Sequence, residues 1–192
     1  MGPIRRWLGR TWLSLFGWRL VTETPPVDKF VFIAAPHTTG WDLPFMLATA
    51  YAMGVPISWL GKRELFGLPF GPLLRWLGGI PVDRGRRGNM VGQAAEAFAQ
   101  ASQLVLAVPP EGTRKGGGHW KSGFYHIARA ANVPIGLGYL DYARRRCGVG
   151  GFVEATGDVR ADMAKIRGFY ADVRGKYPHL EGEPRLQEED GD

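Results

Sequence analysis

Residues 29–53 read KFVFIAAPHTTGWDLPFMLATAYAM and hold a strand, a turn and a helix in one stretch. KFVFIAA (29–35) is a short run of aromatic, β-branched and small apolar residues, the pattern of a buried strand. LPFMLATAYAM (43–53) reads as a helix, with Asp42 at or near its N-cap and Pro44 in its first turn. Between them lies a polar turn with His37 and, five residues on, Asp42. Within one helix, side chains five apart point about 140° apart and cannot meet. On a loop and the helix start that closes it they can, and Gly40 permits a tight backbone there. The pair then reads either as a general base with its orienting carboxylate or as an ordinary polar turn.

The same alternation continues outward. PISWLGK (56–62) is a second strand, and FGPLLRWLGGIPVDR is a short helix stopped at Gly78–Gly79, then an extended segment. NMVGQAAEAFAQASQ (89–103) is an amphipathic helix, LVLAVP (104–109) a third strand, and SGFYHIARAA (122–131) a helix. VPIGLGYLDY and GGFVEATGDV are strands flanking the basic turn ARRRCG, and residues 160–178 form a last helix. Strands alternating with helices predict a single α/β domain, its mixed, mainly parallel sheet flanked by helices. The expected division is an amphipathic helix at 1–21, the main domain at 22–180 and an acidic, disordered tail at 181–192.

The chain has 192 residues, 45% of them hydrophobic, which suits one domain with one core. Its single cysteine, Cys147, excludes an internal disulfide and a cysteine-based zinc cluster, and reads as inert. Net charge is +6: residues 1–20 carry +4, residues 181–192 carry −5 and the 160 between carry +7. A basic body implies an anionic partner, and no nucleic-acid-binding motif accompanies it. No apolar run reaches the roughly 18–20 residues of a membrane-spanning helix, and the N-terminus lacks the pattern of a signal peptide. On a helical wheel Ile4, Trp7, Leu8, Trp12, Leu15 and Trp18 fall on one side, with Arg6 and Arg10 opposite. Leu13 and Leu20 interrupt the polar side. Trp and Arg together predict a helix lying in the headgroup region of an anionic membrane.

In an α/β sheet the site lies in loops after the carboxyl ends of strands. Two such loops stand out, PHTTGWD and PPEGTRKGGGHWK. Arg84, at the end of GGIPVDR, and Arg114, in PPEGTRK, each follow a strand-like segment. A guanidinium fork there suits a substrate phosphate, whereas Arg86–Arg87 read as solvated surface charge. Lys121 follows a glycine-rich stretch from which it could swing toward phosphate. His126 reads as a half-buried helix residue, His119 stays open, and His179 reads as exposed.

HTTGWD, GGIPVDR, PEGTR and VPI occur in the order and spacing of the four sequence blocks of glycerolipid acyltransferases. The chain thus resembles the PlsC-like 1-acylglycerol-3-phosphate acyltransferase superfamily over roughly residues 29–155. HWKSGFYHIA and LGYLDY further resemble a compact subgroup of it. The resemblance implies His37 as general base and Asp42 as its support. It implies Arg84, Glu111, Gly112 and Arg114 at the acceptor's phosphate and glycerol, with Lys121 as a further candidate. Val133, Pro134 and Ile135 would shape the acyl pocket. It implies a lysophosphatidic acid acceptor, an acyl-CoA or acyl-carrier-protein donor, no bound cofactor or metal, and a peripheral place on the cytoplasmic membrane face. The backbone N–H groups of Thr38–Trp41 are expected oxyanion donors. Pro109, where the family carries Phe, and Thr39–Gly40, in place of a Ser–Asn pair, depart from its pattern. Another lysolipid, or an amino-acid lipid, is an alternative acceptor, and a membrane-binding protein without activity is the non-enzymatic alternative.

Overall fold

The computed structural model describes residues 2–22, 27–82, 89–112 and 118–190. Seven strands form one sheet: β1 (Arg19–Leu20), β2 (Lys29–Ala35), β3 (Ile57–Lys62), β4 (Gly79–Val82), β5 (Leu104–Val108), β6 (Ile135–Asp141) and β7 (Arg146–Val153). Their spatial order is β1-β7-β6-β2-β5-β3-β4, and only the β6–β7 pairing is antiparallel. Among the described residues six α-helices accompany them: α1 (Pro3–Leu15), α2 (Asp42–Met53), α3 (Gly71–Trp76), α4 (Asn89–Gln100), α5 (Gly123–Ala131) and α6 (Val159–Tyr170).

The central strand β2 shows why its sequence is apolar from Phe30 to Ala35. Val31, Ile33 and Ala35 join a core with Phe98 of α4, Phe124 and Ile127 of α5, and Met163 and Ile166 of α6. Phe30 and Phe32 point the other way, onto Ala50 and Met53 of α2. With period-two side chains and helices on both faces, five of its seven positions are buried, and Lys29 and Ala34 are partly exposed. The mixed, mainly parallel α/β sandwich read from the sequence is the architecture found.

Four readings differ from expectation. The N-terminal helix stops at Leu15, the chain turns through Gly17 at φ +69°, and Arg19–Leu20 joins the sheet edge beside β7. The last helix stops at Tyr170 instead of 178, because the chain must fold back. At Gly175 a Cβ would lie 2.9 Å from Thr38 Oγ1, so this close pass needs glycine. The segment to Asp190, expected to be disordered, instead packs on the domain. Leu186 is fully buried, Arg167 pairs with Glu189 at 2.5 Å, and Arg160 donates to the Glu189 carbonyl at 3.1 Å. Composition alone reads these acids as solvated; the arginines of α6 give them partners. Finally, β7 begins at Arg146, because the turn before it is tight and places Arg145 at φ +50°.

Candidate active site

The parallel neighbours β6, β2 and β5 end side by side, and each delivers a polar residue at or just past its carboxyl end. After β2 comes His37; after β5, Glu111; after β6, Tyr142. His37 Nδ1 lies 3.0 Å from Asp42 Oδ2, with the histidine side chain 27% exposed and the aspartate 5%. The same Oδ2 accepts the backbone N–H of Thr38 at 2.9 Å and of Thr39 at 3.0 Å. An ionised carboxylate only accepts, so Nδ1 carries the proton and Nε2 holds the free lone pair. Asp42 is the first residue of α2, and its carboxylate turns back to organise the preceding loop. The turn closes without a left-handed backbone at Gly40.

This arrangement changes the expected oxyanion hole. Thr38 and Thr39 spend their N–H groups on Asp42, and Trp41 donates weakly to Thr39 Oγ1 at 3.4 Å. Of the four N–H groups expected to act there, only that of Gly40 makes no bond among the described residues.

Glu111 is buried, and its Oε2 accepts the His37 N–H at 3.1 Å. Burial pushes its carboxyl above the usual range, while the N–H groups of His37 and Gly182 pull it back. Its Oε1 has no partner among the described residues. Gly112 sits at φ +68°, a left-handed position suited to glycine. A Cβ there would lie 3.3 Å from Lys121 Cγ, so the lysine stem runs past this turn while its ammonium end reaches solvent. His37, Asp42, Glu111, Gly112 and Lys121 are thus brought together. Arg84 and Arg114 lie outside the described residues.

Val133, Pro134 and Ile135 are placed elsewhere. They stand at the start of β6, where Ile135 pairs with Val31 and the Pro134 carbonyl accepts the Val31 N–H. In a parallel pair this is the opposite end from His37, roughly 20 Å away at about 3.3 Å per residue. Val133 and Ile135 fill the core, so an acyl pocket at the His37 end is not built from these side chains. Two other histidines lie near carboxylates away from His37: His119 approaches Glu183 at 3.6 Å and His126 approaches Glu188 at 3.5 Å. Cys147 is fully buried, its thiol pushed up to about 11 by desolvation. Among the described residues, no three His, Cys, Asp or Glu side chains gather as a metal site.

Two contributions escape a motif-level reading. Tyr142 donates its hydroxyl to Asp42 Oδ1 at 2.8 Å, across 100 residues. The segment after α6 walls the site, with the Tyr177 N–H reaching Thr38 Oγ1 at 3.3 Å and Gly182 against the Glu111 stem. The only sequence signal for Tyr142 is its position just past a buried strand, where site residues of such sheets lie.

An acyltransferase family model matches residues 21–136. The 1-acyl-sn-glycerol-3-phosphate acyltransferase of Haemophilus influenzae is 31% identical over 145 residues, covering 70% of this chain and 58% of its own. That of Escherichia coli is 31% identical over 123 residues, covering 61% and 49%. The chain spans about half the length of the curated relatives it matches. The crystal structure of the 1-acyl-sn-glycerophosphate (LPA) acyltransferase PlsC from Thermotoga maritima aligns over 90% of this chain and 80% of that one, with TM-score 0.58 at 19% identity, and shares its fold. With its catalytic-type turn inside the matched segment, the chain belongs to the acyltransferase family.

Proposed function

We propose that the protein transfers a fatty acyl chain from a thioester, acyl-CoA or acyl-carrier protein, to the free hydroxyl of lysophosphatidic acid. The observation that carries this reading is the His37 Nδ1–Asp42 Oδ2 contact at the end of the central parallel strand. His37 Nε2 takes the proton from the acceptor hydroxyl as that oxygen attacks the thioester carbonyl. Collapse of the tetrahedral intermediate breaks the C–S bond, and the proton on Nε2 passes to the leaving thiolate. Asp42 holds the productive tautomer and balances the imidazolium. No acyl-enzyme forms, so no cysteine or serine nucleophile is needed. In this reading Arg84, Glu111, Gly112 and Arg114 hold the acceptor's phosphate and glycerol, with Lys121 as a further phosphate contact.

The acceptor is an amphiphile, and the surface fits a membrane partner. Gly9 and Leu13 of α1 face α2, which leaves Ile4, Trp7, Leu8 and Leu15 exposed. The segment from Arg63 to Trp76 exposes Leu65, Leu68, Phe70, Leu73 and Trp76 as well. The Arg5 guanidinium lies 4.8 Å from the Trp76 ring, joining the two patches. Large apolar side chains beside Arg5, Arg6, Arg10, Lys62, Arg63 and Arg75 suit insertion among anionic headgroups at the cytoplasmic face. No described helix is long and apolar enough to cross a membrane.

The test is thiol release and lipid mass spectrometry with a panel of acyl thioesters and lysolipids. Phosphatidic acid formation from lysophosphatidic acid, abolished in His37→Ala, is the expected result. Turnover of another lysolipid or an amino-acid lipid alone would reassign the acceptor. Vesicle binding that survives His37→Ala, without thiol release from any donor in wild type, would make it a membrane-binding protein.

A further inference from the structure

We infer that Tyr142 is a positioning residue for the His37–Asp42 pair, holding the second carboxylate oxygen so that the first stays on the imidazole. This rests on His37 being the base of the proposed transfer. Tyr142 lies beyond the segment that the acyltransferase model matches, so this support is not part of that matched segment.

Asp42 is buried, and a buried carboxylate needs both oxygens satisfied. Oδ2 takes three donors from its own turn: His37 Nδ1–H, Thr38 N–H and Thr39 N–H. Oδ1 takes the Tyr142 hydroxyl. Three donors on one oxygen pin it, but the group can still rotate about its Cβ–Cγ bond unless the other oxygen is held. A donor from outside the turn, on the far side of Asp42, supplies that hold.

Tyr142 is itself fixed from several directions. Its ring stands edge-on to Trp18 at 4.9 Å and to Phe45 at 6.2 Å. Its N–H donates to the Arg174 carbonyl at 2.9 Å. The preceding Asp141 ties the turn by accepting the N–H groups of Ala143 and Arg144 and the Arg144 guanidinium. Burial, and then the bond to Asp42, push the phenol far above its ordinary range, so it remains a donor throughout the working pH range. The other titratable groups facing this cluster are His37, Glu111 and Tyr177.

Tyr142→Phe tests this while keeping the ring that packs on Trp18 and Phe45. Without the hydroxyl, the carboxylate turns from the imidazole and stabilises the imidazolium less. The acidic limb of kcat/KM therefore moves to lower pH, and plateau kcat falls about tenfold with KM unchanged. Histidine-labelled NMR reads the same shift without substrate: the His37 resonance titrates at lower pH than in wild type. A variant with the wild-type plateau, limb and His37 titration overturns the inference. A lowered melting temperature with limb and titration unmoved also overturns it, since that is a structural role alone. If wild type releases no thiol but the NMR shift is present, the functional reading fails and the positioning role stands.

Discussion

The His37–Asp42 turn and the apolar face formed by α1 and residues 63–76 solve opposite problems with similarly short segments. In the turn, most polar atoms are committed: Asp42 is buried under four donors, and His37 has its backbone on Glu111 and its Nδ1 on Asp42. On the apolar face, large side chains such as Leu68, at 89% exposure, and Trp7, at 64%, have no protein cover. The turn is organised before substrate arrives, and such pre-paid geometry favours a proton-transfer step. The face is left uncovered by the chain. Under the proposed function, a rigid proton-transfer site beside an uncovered apolar surface is the division of labour expected for an acceptor dissolved in a bilayer.

The sharpest way to break this comparison is at the base. His37→Ala lowers kcat by about 10³–10⁴-fold in the thiol-release assay, the span of a general base. Retained turnover removes the catalytic half of the contrast. Asp42→Asn comes next, with kcat down by about 10²–10³-fold, because an amide stabilises neither the tautomer nor the imidazolium. It also presents an N–H₂ where a carboxylate oxygen met a donor, so the melting temperature falls too.

Gly9→Leu tests how the face is mounted. A Cβ at Gly9 would lie 2.5 Å from the Ala48 carbonyl oxygen and 2.6 Å from the Ala52 nitrogen. The two helices must separate, at a cost of about 1–3 kcal/mol in urea unfolding. An unchanged midpoint would show that α1 packs elsewhere. The face itself is probed by Trp7→Glu with Leu8→Glu, and separately by Leu68→Glu with Phe70→Glu. Each pair lowers partitioning onto phosphatidylglycerol vesicles about tenfold or more, with melting unchanged since these side chains are exposed. Loss in one pair alone confines the membrane contact to that segment.

The smallest effect is at Glu111. Its carboxyl is raised above the ordinary 4.5 by burial, so the folded state favours the neutral form. Its stabilising contribution is present below that ordinary value and is lost as pH rises through the raised one. Glu111→Gln stays neutral and accepts the same N–H, so its melting temperature falls less than that of wild type between pH 4 and pH 7. An identical fall in both would show that the carboxyl is not strained by burial.

Local chemistry was most legible where it repeats along the chain. Continuous apolar runs in 29–35 and 104–109 marked covered strands, and the residue types of PHTTGWD left proton-transfer chemistry and an ordinary polar turn both open. Val133–Ile135 misled because a motif orders blocks along the chain without saying which end of the sheet they reach. Leu13 misled because the wheel counted it as an interruption of the polar face, whereas with Gly9 it is the packing stripe. The tail misled because Glu189 finds Arg167, 22 residues earlier, and the Glu189 carbonyl takes Arg160.

By itself the sequence determined the alternation of strands and helices, the polar turn after the central strand and the basic, apolar-rich N-terminus, all of them patterns between near neighbours. Tertiary structure decided which oxygen of Asp42 faces which donor, that Tyr142 completes it from 100 residues away, and that the chain after α6 closes over Thr38 and Glu111. The physical reason is range. Periodicity and turn chemistry act over a few residues, whereas satisfying a buried carboxylate depends on whichever strand ends the sheet brings side by side.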